Sequence, residues 1–168
     1  MRTSPAGVAM IKHYESCRLR PYRCPAGLWT VGWGHVLQRD MLAVTYAQRL
    51  EQPLSPEHDR LWTQDEVDAL LDADIRPAER AVSRLCPAVL DRQGAFDALV
   101  SFTFNLGAGA LQRSTLRQCI LQGDDVAAAS EFGRYVWSAG RKLKGLVLRR
   151  ADEAAMFLST SATLPGAA

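Results

Sequence analysis

Nothing in this chain calls for a metal, a membrane or a nucleic acid. Its 3 histidines and 4 cysteines (Cys17, Cys24, Cys86 and Cys119) include no Cys-x2-Cys pair and no His spacing of a zinc site. No metal and no cofactor is therefore expected. No stretch approaches the roughly 20 apolar residues of a membrane helix, and Met1 to Gly7 lacks the apolar centre of an export signal. The chain is thus expected to be soluble, made in the cytosol and carrying free thiols. A net charge of +2 is too small to argue for nucleic acid, and neither internal repeats nor low-complexity segments occur. What is present is 168 residues, 48% of them hydrophobic, enough to bury a core as one domain or two small lobes.

Charge is unevenly distributed. Arg2, Lys12, Arg18, Arg20, Arg23 and Arg39 face Glu15 alone in the first stretch, residues 51 to 97 are acidic, and Arg141, Lys142, Lys144, Arg149 and Arg150 form a second basic cluster. Both basic segments on one side would suit an anionic polymer, and solvated helix faces explain them equally well.

Helical spacing and capping signals dominate. Ser4 followed by Pro5 predicts a helix from about Pro5 to about Ser16. Prolines, glycines and alternating apolar residues between Arg20 and Val36 predict a small antiparallel hairpin or meander, the one convincing strand signal. Met41 to Leu50 reads as a short helix. Thr63-Gln64-Asp65-Glu66 is a capping box opening a helix with Val67, Leu70, Leu71 and Ile75 as its apolar stripe, and Pro77 permits a kink or restart. Further helices are expected at 91–104, 115–121, 124–137 and 146–158, with 159–168 a flexible tail. The fold class is α+β, mostly α: a small N-terminal lobe (about 17–62) with a short antiparallel sheet, and a long central helix leading into a helical C-terminal lobe (about 63–158 plus 5–16). The whole is one domain over 1–168, with a cleft between the lobes where substrates usually bind.

Three residues in the order Glu-x8-Cys-x5-Thr carry the candidate chemistry. Glu15, at the end of the first helix, lies where the negative end of the dipole and partial burial both favour keeping its proton, as a general acid of glycoside hydrolysis must. On position alone, a surface carboxylate paired with Arg18 or Arg20 is the stronger reading. Cys24 stands where such a site usually has a carboxylate, and it serves as a base only if cations such as Arg20 and Arg23 favour the thiolate; a small hydrophobe filling space fits it equally. Thr30 can hold an attacking water, or be an ordinary strand threonine. Gly32 and Gly34 allow close backbone approach, and His35 is placed to pair with Asp72 or Asp74. Phe96, Phe102, Phe104 and Trp137 read as core, with Phe104 the choice for an aromatic stacked on a sugar. Asn105, Gln112, Ser114 and Thr115 offer hydrogen-bonding groups.

Taken together, Glu15, Cys24 and Thr30 match the Glu-x8-(Asp or Cys)-x5-Thr signature of the phage-type lysozymes, glycoside hydrolase family 24. Thr30-Val31-Gly32-Trp33-Gly34-His35 resembles that family's glycine turn, 98–107 with Ser114-Thr115-Leu116 its central segment, and Gly145-Leu146-Val147 with Arg149-Arg150 its C-terminal basic motif. The resemblance covers about Gly7 to Leu158, with Arg39 to Trp62 longer than usual. It implies a lysozyme-like fold and an endolysin cleaving the β-1,4 bond between N-acetylmuramic acid and N-acetylglucosamine in peptidoglycan, lysing the bacterial host. It implies Glu15 as proton donor, Cys24 at the second catalytic position, Thr30 placing water, and glycan contacts at Val36, Phe104 and Thr115. The thiol leaves inversion, retention through a thioglycoside, or electrostatic assistance to Glu15 open. A lytic transglycosylase and a catalytically weak, glycan-binding virion module are the other readings. Without an apolar N-terminal segment, the chain is expected to wait in the host cytoplasm as a monomer until a holin lets it reach the periplasm and wall.

Overall fold

A computed structural model describes residues 1–159. In chain order it contains α1 (Pro5–Tyr14), β1 (Arg18–Arg23), β2 (Trp29–Gly32), β3 (His35–Val36), α2 (Tyr46–Glu51), α3 (Gln64–Leu85), α4 (Gln93–Leu106), α5 (Ala108–Gln112), α6 (Thr115–Gln122), α7 (Asp125–Glu131), β4 (Trp137–Ser138), β5 (Arg141–Lys142) and α8 (Lys144–Leu158). Helix dominates, and two compact units divide the chain: residues 15–74, and residues 1–14 with 75 onward. The tail expected at 159–168 lies, apart from Ser159, outside the described residues.

In the 15–74 unit, β1, β2 and β3 form an antiparallel sheet in that order. The strands pair Tyr22 with Thr30 and Thr30 with Val36. Directly paired residues share a sheet face, so these three side chains form one row across the sheet. Gly32, at φ +61°, ends β2 where a Cβ would stand 2.6 Å from the Val67 Cβ, which leaves glycine as the residue that fits. His35 Nδ1 lies 2.7 Å from Asp74 Oδ2, so the pairing expected with Asp72 or Asp74 goes to Asp74, which Arg39 also bonds at 2.6 Å. The region expected as one helix over 41–50 divides into a 3-10 turn (Arg39–Ala43) and α2, whose start has its own capping box, Thr45 with Gln48.

The capping box on α3 forms as expected: Thr63 N donates to Glu66 Oε2 at 2.7 Å and Glu66 N to Thr63 Oγ1 at 3.3 Å. Pro77 does not restart the element; α3 runs unbroken over 22 residues. Proline costs the helix one N–H bond, and Val67, Leu71, Ile75, Ala78, Ala81, Val82 and Leu85, all buried, hold its apolar stripe in place.

The other unit packs Phe96, Leu99, Phe102, Phe132 and Phe157 in its core. Phe102 meets Phe132 and Tyr135 edge-on at centroid distances of 5.6 and 4.8 Å. The N-terminal residues are tied in: Arg2 Nη1, Thr3 N and Thr3 Oγ1 donate to Glu79 at 2.9, 2.7 and 2.8 Å, while Ser4 donates through N and Oγ to Asp97. Two expectations change here. Arg149 and Arg150 do not extend the exposed basic cluster: they are 3% and 1% exposed and grip the fully buried Glu153 on α8. Arg149 Nε lies 3.1 Å from Glu153 Oε1, and Arg150 Nε lies 2.9 Å from Oε2, close enough for attraction but out of hydrogen-bond alignment. The helix expected over 124–137 ends at Glu131, a 3-10 turn follows at Phe132–Arg134, and Trp137 belongs to a second hairpin that the periodicity did not reveal. Its turn residues, Ala139 and Gly140, both have positive φ (47° and 74°), as a tight two-residue hairpin requires. Trp137 is 63% exposed and so leaves the expected core.

Candidate active site

Glu15 is half-buried and stands one residue past α1, which stops at Tyr14 instead of reaching Ser16. It enters the turn leading to β1, still beside the carboxyl end of the helix. Cys24 follows β1 directly and opens a tight turn: Gly27 N donates to Cys24 O at 2.8 Å and Cys24 N to Leu28 O at 3.0 Å. Thr30, on β2, is 2% exposed.

The turn supplies donors to the Cys24 sulfur. Burial pushes the thiol up, but the Leu28 amide, the Thr30 hydroxyl and the Ala26 and Cys24 amides stabilise the thiolate more strongly, leaving it below its ordinary range. Hydrogen bonds perform the task expected of cationic neighbours. Thr30 has a single hydroxyl proton and a second acceptor, the Leu28 carbonyl at 3.1 Å, so turning one rotor suits either charge state of the sulfur.

Tyr22 is the residue that motif spacing missed. Burial pushes its phenol up, the Arg18 guanidinium 4.5 Å from the ring centroid pulls it down, and Cys24, Glu15 and Cys17 raise it again. Glu15 and Cys24 therefore both lie within electrostatic reach of one phenol. Its place two residues before Cys24 on an extended strand is the one faint signal in the sequence; its pairing with Thr30 is a matter of register that only the fold reveals.

Val36 completes the row Tyr22–Thr30–Val36 and is half-buried. Gly32 and Gly34, with φ of +61° and +100°, flank the β2–β3 turn, and His35 is occupied by Asp74. In the other unit, Phe104 is half-buried near the end of α4, and Thr115 is the exposed first residue of α6, after the cap Ser114. Among the described residues no group of His, Cys, Asp and Glu is placed to hold a metal ion. Chemically, the 15–74 unit offers a carboxyl group, a thiol poised toward thiolate and a hydroxyl that adjusts to it.

Residues 12–153 match the family described as phage lysozyme. An endolysin of Acyrthosiphon pisum secondary endosymbiont phage 1 is 32% identical over 165 residues, spanning 95% of this chain and 99% of the relative. An endolysin of Bacillus phage PZA is also 32% identical over 165 residues, but this chain spans only 56% of its length against 95% of its own. Among solved structures, the muramidase domain of SpmX from Asticaccaulis excentricus aligns with a TM-score of 0.75 at 31% identity, covering 94% of this chain and 98% of that one.

Proposed function

The chain belongs to the phage lysozyme family, and on that premise we propose that it is an endolysin, a muramidase hydrolysing the β-1,4 bond between N-acetylmuramic acid and N-acetylglucosamine in peptidoglycan. The observation that carries the reading is the company Cys24 keeps: Thr30, whose hydroxyl donates to the Leu28 carbonyl of the Cys24 turn, pairs with Tyr22 across the sheet, and the Tyr22 phenol feels both Glu15 and the Cys24 sulfur. Three groups of the family signature thus share one small unit.

Glu15 donates its proton to the departing glycosidic oxygen, whose loss leaves positive charge on the sugar ring. Cys24 takes the place of the usual second carboxylate. Its hydrogen-bonded sulfur provides negative charge or a nucleophile on the other side of that centre, and Thr30 beside it helps place the water. Val36, Phe104 and Thr115 contact the glycan, with the Phe104 ring suited to stack on a sugar face. Among the described residues no helix is long and apolar enough to cross a membrane, and a holin-made hole is the route to the wall that fits the reading, with the monomer as working unit.

Mass spectrometry of fragments released from purified walls tests the reaction. The wild type should release reducing muropeptides carrying one added water, and Glu15→Gln should reduce release by at least about a hundredfold, the scale of lost general acid catalysis. Anhydro products, or full-rate digestion by Glu15→Gln, would overturn it.

A further inference from the structure

Two arginines grip the outside of the Cys24 turn. Arg23 Nη1 donates to the Gly27 carbonyl at 2.8 Å and also to the Arg49 carbonyl, and its Nη2 donates to the Gln52 carbonyl. Its guanidinium carbon lies 4.4 Å from the Trp29 ring centroid, and the Trp29 indole donates to Gln52 O at 3.1 Å. Arg49, on α2, donates from Nε to Met41 O at 2.9 Å, from Nη2 to Leu42 O at 2.9 Å and from Nη1 to Ala26 O at 3.3 Å. Among the described residues, every hydrogen bond of these two side chains goes to a backbone carbonyl, and none goes to a carboxylate.

The peptide geometry gives these bonds direction. In a planar trans peptide the C=O and N–H point opposite ways. Arg23 holds the carbonyl of the Gly27–Leu28 peptide, whose N–H belongs to Leu28 and favours the Cys24 thiolate. Arg49 holds the carbonyl of the Ala26–Gly27 peptide, whose N–H closes the turn on Cys24 O at 2.8 Å. A cation on each carbonyl also deepens the polarisation of its amide.

We infer that Arg23 and Arg49 are positioning residues for Cys24, clamping two successive peptides of the 24–28 turn from outside so that the turn's amide donors stay aimed at the sulfur. The segment 39–52, absent from the family-like motifs of the sequence, thereby gains a role: it brings in Arg49 and, through the Arg49 and Gln52 carbonyls, fixes Arg23. A family site that substitutes a thiol for a carboxylate needs more help to carry negative charge at neutral pH, and this clamp provides it. The charged and titratable groups that share the Tyr22 phenol with the sulfur are Glu15, Cys17 and Arg18.

The clamp on the turn stands on the arginine–carbonyl geometry; its consequence for turnover rests on the muramidase reading. Site-resolved alkylation separates the two, since it needs no substrate. Folded protein is pulsed with iodoacetamide across pH 5 to 10 and Cys24 is followed by peptide mass spectrometry, with Cys17 and Cys119 as internal references. Arg49→Ala and Arg23→Lys should each move the Cys24 midpoint up by about one pH unit and slow its alkylation at pH 6 about tenfold, with the references unmoved; wall clearing should lose kcat and keep KM. An unmoved Cys24 midpoint in either folded variant overturns the clamp. In the unaltered chain, the Leu28 and Ala26 amide proton resonances should titrate with the Cys24 midpoint, and amides that stay still through it overturn the clamp whether or not the variants fold. A shifted midpoint in a protein that clears no walls would sustain the clamp and sink the muramidase reading.

Discussion

Cys24 differs from the carboxylate it replaces in how it comes by its charge. A carboxylic acid is ionised at neutral pH unaided, whereas a thiol with an ordinary value near about 8.5 is mostly protonated. Here burial raises the thiol, and the Leu28, Thr30 and Ala26 groups together bring it below its ordinary range. Cys24→Ser keeps the size but loses the ionisable group, so turnover on walls should fall by at least about tenfold while the thermal midpoint stays within about 2 °C; unchanged turnover would leave the sulfur a packing atom. The signature residues were legible because Glu15, Cys24 and Thr30 lie within one short stretch and their spacing is itself the signal. Tyr22 was not: its importance comes from pairing with Thr30 across the sheet, and register is invisible to linear spacing. Arg149 and Arg150 misled for a related reason. A run of basic residues reads as surface, and only Glu153, three and four positions on, hinted that the run turns inward to a buried partner.

At the level of elements, capping chemistry was the most readable feature. The Thr63–Glu66 box was plain because its two partners lie three residues apart in the sequence, and its geometry forms as read. The Glu66 carboxyl is held down at about 2 by its hydrogen bond to Arg60 and by the Thr63 amide and hydroxyl. Since the folded value lies below the unfolded one, this stabilisation is complete above the usual carboxylate range and disappears as pH falls toward about 2. Thr63→Ala should therefore destabilise the chain by about 1 kcal/mol at pH 7 and by clearly less near pH 2, measured by denaturant unfolding at both; an equal cost at both would disconnect the cap from Glu66. The β4–β5 ribbon went unread because two-residue strands are too short to show alternation, and the 22-residue α3 because the proline rule, taken alone, ignores the burial that holds a helix together. The doubled backbone grip around residues 24–28 was likewise illegible, since an arginine that binds carbonyls leaves no mark on its neighbours in sequence.

For the whole molecule, what matters is which charges remain outside. With Arg149 and Arg150 enclosed, the exposed part of the second basic cluster reduces to Arg141, Lys142 and Lys144, near the exposed Trp137 in sequence. Binding to anionic walls should accordingly weaken as salt rises from about 50 to about 500 mM, where the screening length shrinks from well above to well below 10 Å. Arg141→Glu with Lys142→Glu should flatten that dependence in a pelleting assay, and a steep dependence in the double variant would place the contact elsewhere. The attachment of the first residues bears on how the protein is handled as a material. Arg2, Thr3 and Ser4 are the counterparts of two buried carboxylates, Glu79 and Asp97, so cleavage just after Ser4 in storage would take these donors from Glu79 and leave Asp97 with Gln93. Lots of differing amino-terminal integrity would then differ in shelf life and apparent potency while every catalytic side chain remained chemically intact.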